Sequence, residues 1–184
     1  SQATAGSTAP TARQRPVMVY DPGTQRMVMY GGRDARALSY ELWLSSISAS
    51  NTWPAGVSVT PSQGLGASAT FTAVYRHTGG AGQIKDVQFL VNTSASGASA
   101  AYLQYTPATN TLQLRNDSDS GWFSGTVGSG ATLSNNQVSI NLAQTSTLVS
   151  GTDVRITLPL SFKNPFNGPK NLYLAVTNLS GVSP

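Results

Sequence analysis

Side chains able to do chemistry are few in this sequence, and their spacing limits what they can do. Histidine occurs once, as His77 in Arg76-His77-Thr78-Gly79-Gly80. Acyl transfer needs an imidazole beside a nucleophile and an orienting acid, and no G-x-S-x-G elbow accompanies this one. The expectation for His77 is a surface loop where a strand runs into glycines. Glutamate also occurs once, as Glu41 in Tyr40-Glu41-Leu42-Trp43, so the paired carboxylates of glycoside hydrolysis have no source there. There is no cysteine, which removes thiolate metal sites and disulfides. The chain is read as a non-enzyme with no catalytic residue, no metal ligand and no cofactor.

The sharpest metal candidate is Asn116-Asp117-Ser118-Asp119-Ser120-Gly121, with oxygen side chains at alternate positions and a glycine bend. It lacks the closing bidentate Glu of a calcium loop. An Asx-rich turn accounts for the same residues, because Asn and Asp bond their own backbone and tolerate left-handed geometry. Trp43, Trp53, Trp122 and Phe123 could stack on sugar faces if exposed. Asn92, Asn116 and Asn178 each begin an Asn-x-Ser/Thr sequon and are the candidate glycosylation positions.

The elements that must position these residues are strands. Of 184 residues, 39% are apolar, enough for a core, and only 10% are charged. Serine (24) and threonine (20) are abundant, whereas Glu (1), Lys (3) and Met (3) are scarce beside 18 Gly and 10 Pro. That balance favours pleated and turning backbone over helices, and suits a protein outside the cell. No apolar run is long enough to span a membrane, and the start at Ser1 reads as a processed N-terminus. The net charge is +4, but Arg76, Lys85, Arg115, Arg155, Lys163 and Lys170 stand singly among neutral residues. A phosphate-tracking stripe needs clustered cations, so nucleic acid is not an expected partner.

Residues 1–12, SQATAGSTAPTA, hold no large apolar side chain and read as an extended leader. The next unit spans 13–53. Val17 and Val19 alternate with Met18 and Tyr20, and Met27 and Met29 alternate with Val28 and Tyr30; between them Asp21-Pro22-Gly23-Thr24-Gln25 predicts a hairpin turn. Tyr40 to Leu44 supplies a third extended piece, and Trp53 could open a fourth. The string VMVYDPGTQRMVMYGGRD, then YELW and Trp53, resembles one kelch repeat over residues 16–53. The resemblance implies one four-stranded propeller blade. Propellers close with several blades, and a single one leaves exposed strands that need partners elsewhere. The copper oxidases of that family use cysteine and histidine ligands that this sequence lacks.

Residues 54–184 predict short strands at regular spacing: Val57 to Pro61, Ser68 to Arg76, Ile84 to Asn92, Ala101 to Tyr105, Thr111 to Asn116, Gln137 to Leu142, Asp153 to Leu160 and Asn171 to Asn178. Ala69, Phe71, Ala73 and Tyr75 share one face, as do Val87, Phe89 and Val91, and Val154, Ile156, Leu158 and Leu160. Pro159 has no amide donor, which predicts an edge or a bulge there. Tyr105-Thr106-Pro107-Ala108-Thr109-Asn110 predicts a second hairpin, with Asn110 at positive φ. The segments VSVTPSQGLGASATFTAVY, DVQFLVN, AAYLQYTPATNTLQLRNDSDSGW and LPLSFKNPFNGPKNLYLAVTN resemble an immunoglobulin-like or fibronectin-like repeat of large secreted proteins of environmental bacteria. Relatives carry cysteines near Ala101 and Val138, so the resemblance implies that these two positions touch in the core.

The expected fold is all-β: an immunoglobulin-like β-sandwich preceded by a kelch-blade-like β segment. The expected function is a structural subunit of an extracellular or surface-displayed bacterial filament. Copies of the chain are the partners, held by strand pairing through Val17, Val19, Tyr20, Met27, Met29 and Tyr30. Five Arg against two Asp in residues 1–40 could steer that docking. The alternative is a glycan-binding or adhesive module, a fragment of a longer kelch-plus-immunoglobulin protein.

Overall fold

The structure, a computed structural model, describes the strands Val17–Asp21, Arg26–Tyr30 and Leu42–Ser46 and residues 53–183. The chain divides into two compact units, Ser1–Ser50 and Asn51–Pro184. Among the described residues every regular element is a strand or a 3-10 turn, and all strand pairs are antiparallel. The expected all-β class holds. Among the described residues no helix is long and apolar enough to cross a membrane.

In the first unit, strands β1 (Val17–Asp21), β2 (Arg26–Tyr30) and β3 (Leu42–Ser46) form a three-stranded sheet in that order. β1 and β2 pair from Val17 with Tyr30 to Asp21 with Arg26, the hairpin that the alternation predicts. The third strand covers Leu42–Ser46, and Tyr40 and Glu41 of the expected piece lie outside the described residues. The leader, residues 1–12, and the turn residues 22–25 lie outside the described residues. Trp53 does not open a fourth blade strand. It directly precedes β4 (Pro54–Thr60), which pairs with β5 (Ser68–His77) of the second unit, because the β-forming run Val57-Ser58-Val59-Thr60 carries the chain into that sheet.

The second unit is a β-sandwich. One sheet runs β14 (Asn171–Asn178), β6 (Ile84–Asn92), β7 (Ala101–Thr106), β8 (Thr111–Arg115), β9 (Trp122–Thr126). The other runs β10 (Thr132–Ser134), β11 (Val138–Asn141), β13 (Asp153–Phe162), β5, β4, with β12 (Ser146–Ser150) also paired to β13. The inward faces are the alternating apolar sets. Phe71, Ala73 and Tyr75 of β5 and Val154, Ile156, Leu158 and Leu160 of β13 meet Val87, Phe89 and Val91 of β6 and Leu103, Leu112 and Leu114 of β7 and β8 in one core. Period-two burial is cleanest along β7 and β8, where every second residue is buried. Ala101 and Val138 are fully buried members of that core on opposite sheets.

Pro159 contradicts the expected edge or bulge. It pairs with Thr70 in the interior of the sheet. On the other side of β13, pairing with β12 ends at Thr157 and pairing with β11 begins at Leu160. Position 159 thus faces a gap between two partner strands, where a missing amide breaks no ladder. Asn110 adopts the left-handed conformation expected of it (φ 49°), closing the Pro107–Thr109 turn.

Two glycines let the sheets close on each other at their seams. A Cβ at Gly56 would lie 2.8 Å from the Cβ of Leu174, so β4 reaches β14 only because position 56 is bare. Gly56→Ala is expected to destabilise the sandwich by about 2 kcal/mol, as overpacking does, and urea unfolding followed by tryptophan fluorescence measures it. At the other seam a Cβ at Gly125 on β9 would collide with Leu142.

On the outer face, cross-strand neighbours Arg76 and Asp153 form a bidentate pair, Nε to Oδ1 at 2.7 Å and Nη2 to Oδ2 at 2.8 Å. The guanidinium holds the Asp153 carboxyl down at about 2. A carboxyl depressed on folding stabilises the native state above its ordinary pKa, and that stabilisation is lost as pH falls through the folded value. The melting temperature is therefore expected to fall between about pH 4 and pH 2, and Asp153→Asn to flatten that slope. The effect is small because both side chains meet solvent.

Candidate interaction surfaces

The register of the three-stranded sheet fixes which residues share a face. Directly paired positions lie on the same side, so Val17, Val19, Val28, Tyr30, Leu42 and Leu44 share one side by register with Asp21, Arg26 and Ser46. Met18, Tyr20, Met27, Met29 and Trp43 occupy the other. The second set also holds Ser45, so both sets are mainly apolar, and among the described residues β1 and β3 are the outer strands. All six expected contact residues lie on β1 and β2, divided between the faces: Val17, Val19 and Tyr30 on one, Tyr20, Met27 and Met29 on the other.

His77 is not in a surface loop. It is the last residue of β5, 4% exposed and paired with Pro54 of β4. Its Nδ1 accepts the Gly79 amide at 3.1 Å, so the glycine turn folds back onto the ring and buries it. The 116–121 segment is an Asx turn joining β8 to β9. Asn116 Oδ1 accepts the amides of Ser120 and Gly121, and Asp119 has φ 55°. Asp117 accepts from the Asn136 amide and Gln137 Nε2, and Asp119 from Arg115 Nε at 2.5 Å. The carboxylates thus brace neighbouring loops.

Of the sequons, Asn92 is 7% exposed, and its Nδ2 donates to the carbonyls of Ser96 and Ala98. A glycan at that nitrogen would break both bonds, so the folded site is closed to one. Asn116 and Asn178 are half-buried. Trp53 and Phe123 are the exposed members of the expected aromatic set, Trp122 is half-buried, and the side chain of Trp43 lies outside the described residues.

Two further surfaces were not visible in the sequence. At one end of the sandwich, β4 stops pairing at Thr60 with Thr72, leaving Ser68–Phe71 paired on the β13 side alone. A cleft of about 960 Å³ opens there, lined by Phe71, Val91, Phe162, Phe166 and Leu172. The rings of Phe162 and Phe166 stack at 5.7 Å, and Lys170 Nζ sits 4.7 Å above the Phe166 ring.

The outer face of the five-stranded sheet is ordered in rows across the strands. One row is Ala175, Gln88, Gln104, Gln113 and Ser124, each in register with the next. Gln88 Nε2 donates to Gln104 Oε1 at 3.3 Å, and Gln113 Nε2 to Ser124 Oγ at 3.0 Å. A neighbouring row carries Tyr173, Leu90 and Tyr102 in register, followed on β8 and β9 by Arg115 paired with Trp122. Tyr102 and Trp122 rings lie 5.2 Å apart, and the Arg115 guanidinium sits 4.6 Å over the indole. Tyr102 also donates to Gln88 Oε1 at 2.9 Å, tying the two rows together. No known protein family, curated protein or solved structure matches this chain.

Proposed function

We propose that the chain is a structural building block of an extracellular bacterial assembly, in which the N-terminal β-sheet joins neighbouring copies and the sandwich is the body. One observation carries this reading: a three-stranded sheet whose register positions are mainly apolar on both sides and whose two outer strands, among the described residues, pair on one side only. Sheets apolar on both faces are buried on both faces, and open edges recruit strands of other chains. The sandwich has its own closed core and serves as an immunoglobulin-like spacer or display module.

The same two-faced pattern supports one rival. Blades of a propeller stack on both sides, so the sheet could be one kelch-like blade of a longer protein whose sandwich is adhesive. Light scattering and electron microscopy of the full chain against Asn51–Pro184 separate the two. Concentration-dependent particles from the full chain, absent without residues 1–50, support the building block. A full chain that stays monomeric at all concentrations overturns it.

A further inference from the structure

We infer that the outer face of the five-stranded sheet is a binding site for a neutral polysaccharide chain. The aromatic row, in which Tyr173, Tyr102 and Trp122 are separated by the buried Leu90 and by Arg115, spans the sheet from β14 to β9, roughly 19 Å at ordinary strand spacing, long enough to lie along several linked sugar rings. Tyr173, Tyr102 and Trp122 are half-buried, so their bodies are fixed and a surface of each remains open. Arg115 lies over one face of the Trp122 indole, and the parts of Trp122, Tyr102 and Tyr173 that stay exposed are held ready for the C–H faces of sugars at little entropic cost.

Beside this strip the face offers unused hydrogen-bonding capacity. The Gln104 amide N–H₂ group and Gln113 Oε1 make no hydrogen bond among the described residues, although the two residues are cross-strand neighbours. One is a donor and the other an acceptor. A sugar hydroxyl, which donates and accepts at once, matches that pair. Both partner amides are already held, Gln104 by Gln88 and Gln113 by Ser124, so the pair is oriented before any ligand arrives.

Charge selects the class of sugar. Arg115 is bonded to Asp119, through Oδ1 at 2.5 Å and the backbone carbonyl at 2.7 Å. Asp86, on the far side of the amide row, accepts from Thr106 Oγ1 at 2.6 Å. One compensated cation and one engaged carboxylate give the face no net attraction for sulfated or uronic chains. A protein partner would meet an apolar strip only one side chain wide beside a polar row, unlike the apolar centre of an interface.

The test is electrophoresis of the full chain through gels cast with soluble glucan, xylan or mannan, and with alginate as the acidic comparison. Retardation by at least one neutral polymer, persisting at high salt, is the expected result. Calorimetry with that polymer should show Trp122→Ala and Gln104→Ala each weakening binding roughly tenfold or more. Trp122→Phe should bind nearly as well as the parent, and Thr157→Ala on the opposite sheet should change nothing. Light scattering should be the same for Gln104→Ala and the parent, which separates loss of this site from loss of self-assembly. The inference is overturned if no neutral polymer retards the chain, if alginate alone does so and salt abolishes it, or if neither alanine variant weakens binding.

Discussion

Replacing Asn135 with alanine is expected to cost the sandwich about 4 kcal/mol. Asn135 is 6% exposed and stands in the tight turn between β10 and β11. Its Nδ2 donates to the carbonyl of Ala100, just before β7, at 2.8 Å and to that of Arg115, the last residue of β8, at 2.9 Å, both belonging to the opposite sheet. Its Oδ1 accepts the amides of Gln137 and Val138, each at 2.9 Å. One side chain thus satisfies four backbone groups and staples the two sheets together at this end. Alanine removes all four bonds in a place where water enters poorly, and an unmade buried hydrogen bond costs more than a made one contributes. The melting temperature should fall on the order of 10 °C. Asn135→Asp keeps the acceptor for both amides but sets a carboxylate oxygen against the two carbonyls, so it should not restore the parent's stability. A loss below about 1 kcal/mol for alanine would mean that the staple is dispensable.

Placing a charge on either face of the N-terminal sheet is expected to abolish self-association without touching the sandwich. Val28 lies at the centre of one face and Met29 at the centre of the other, each flanked by partners on β1 and β3. Val28→Lys and Met29→Lys each bring an ammonium into an interface that the proposal requires to be dry, and burying an unpaired charge costs several kcal/mol. Loss of particles is expected from both variants, with the urea unfolding of the sandwich unchanged because its core lies wholly in the second unit. If only one variant abolishes association, a single face carries the contact. If neither does, the sheet is not the joint.

The strands that sequence reading located are those whose alternation is apolar against polar. Phe71, Ala73 and Tyr75, or Ile156, Leu158 and Leu160, announce their face by spacing alone. Three strands of the sandwich escaped it. β10 holds one core residue, Leu133; β9 carries a glycine where the core needs closeness; and β12 is mostly exposed, with Leu148 and Val149 open to solvent. Such strands are specified by the neighbours they pair with, which local pattern does not show. His77 misled because Gly79-Gly80 signals a loop, and the loop instead folds over the ring. Trp53 misled because tryptophan spacing fitted a blade, while the residues after it belong to the sandwich sheet. The amide row was invisible for a related reason: Gln88, Gln104 and Gln113 come from three strands, and only their register brings them together. The two mainly apolar faces of the N-terminal hairpin, by contrast, were legible from the alternation of Val and Met.

Amide hydrogen exchange of the full chain, followed across protein concentration, reports most directly on the joint between copies. The amides of the edge strands Val17–Asp21 and Leu42–Ser46 should gain protection as concentration rises, while those of residues 53–183 stay constant. Edge amides that exchange at the same rate in dilute and concentrated solution would contradict pairing between copies.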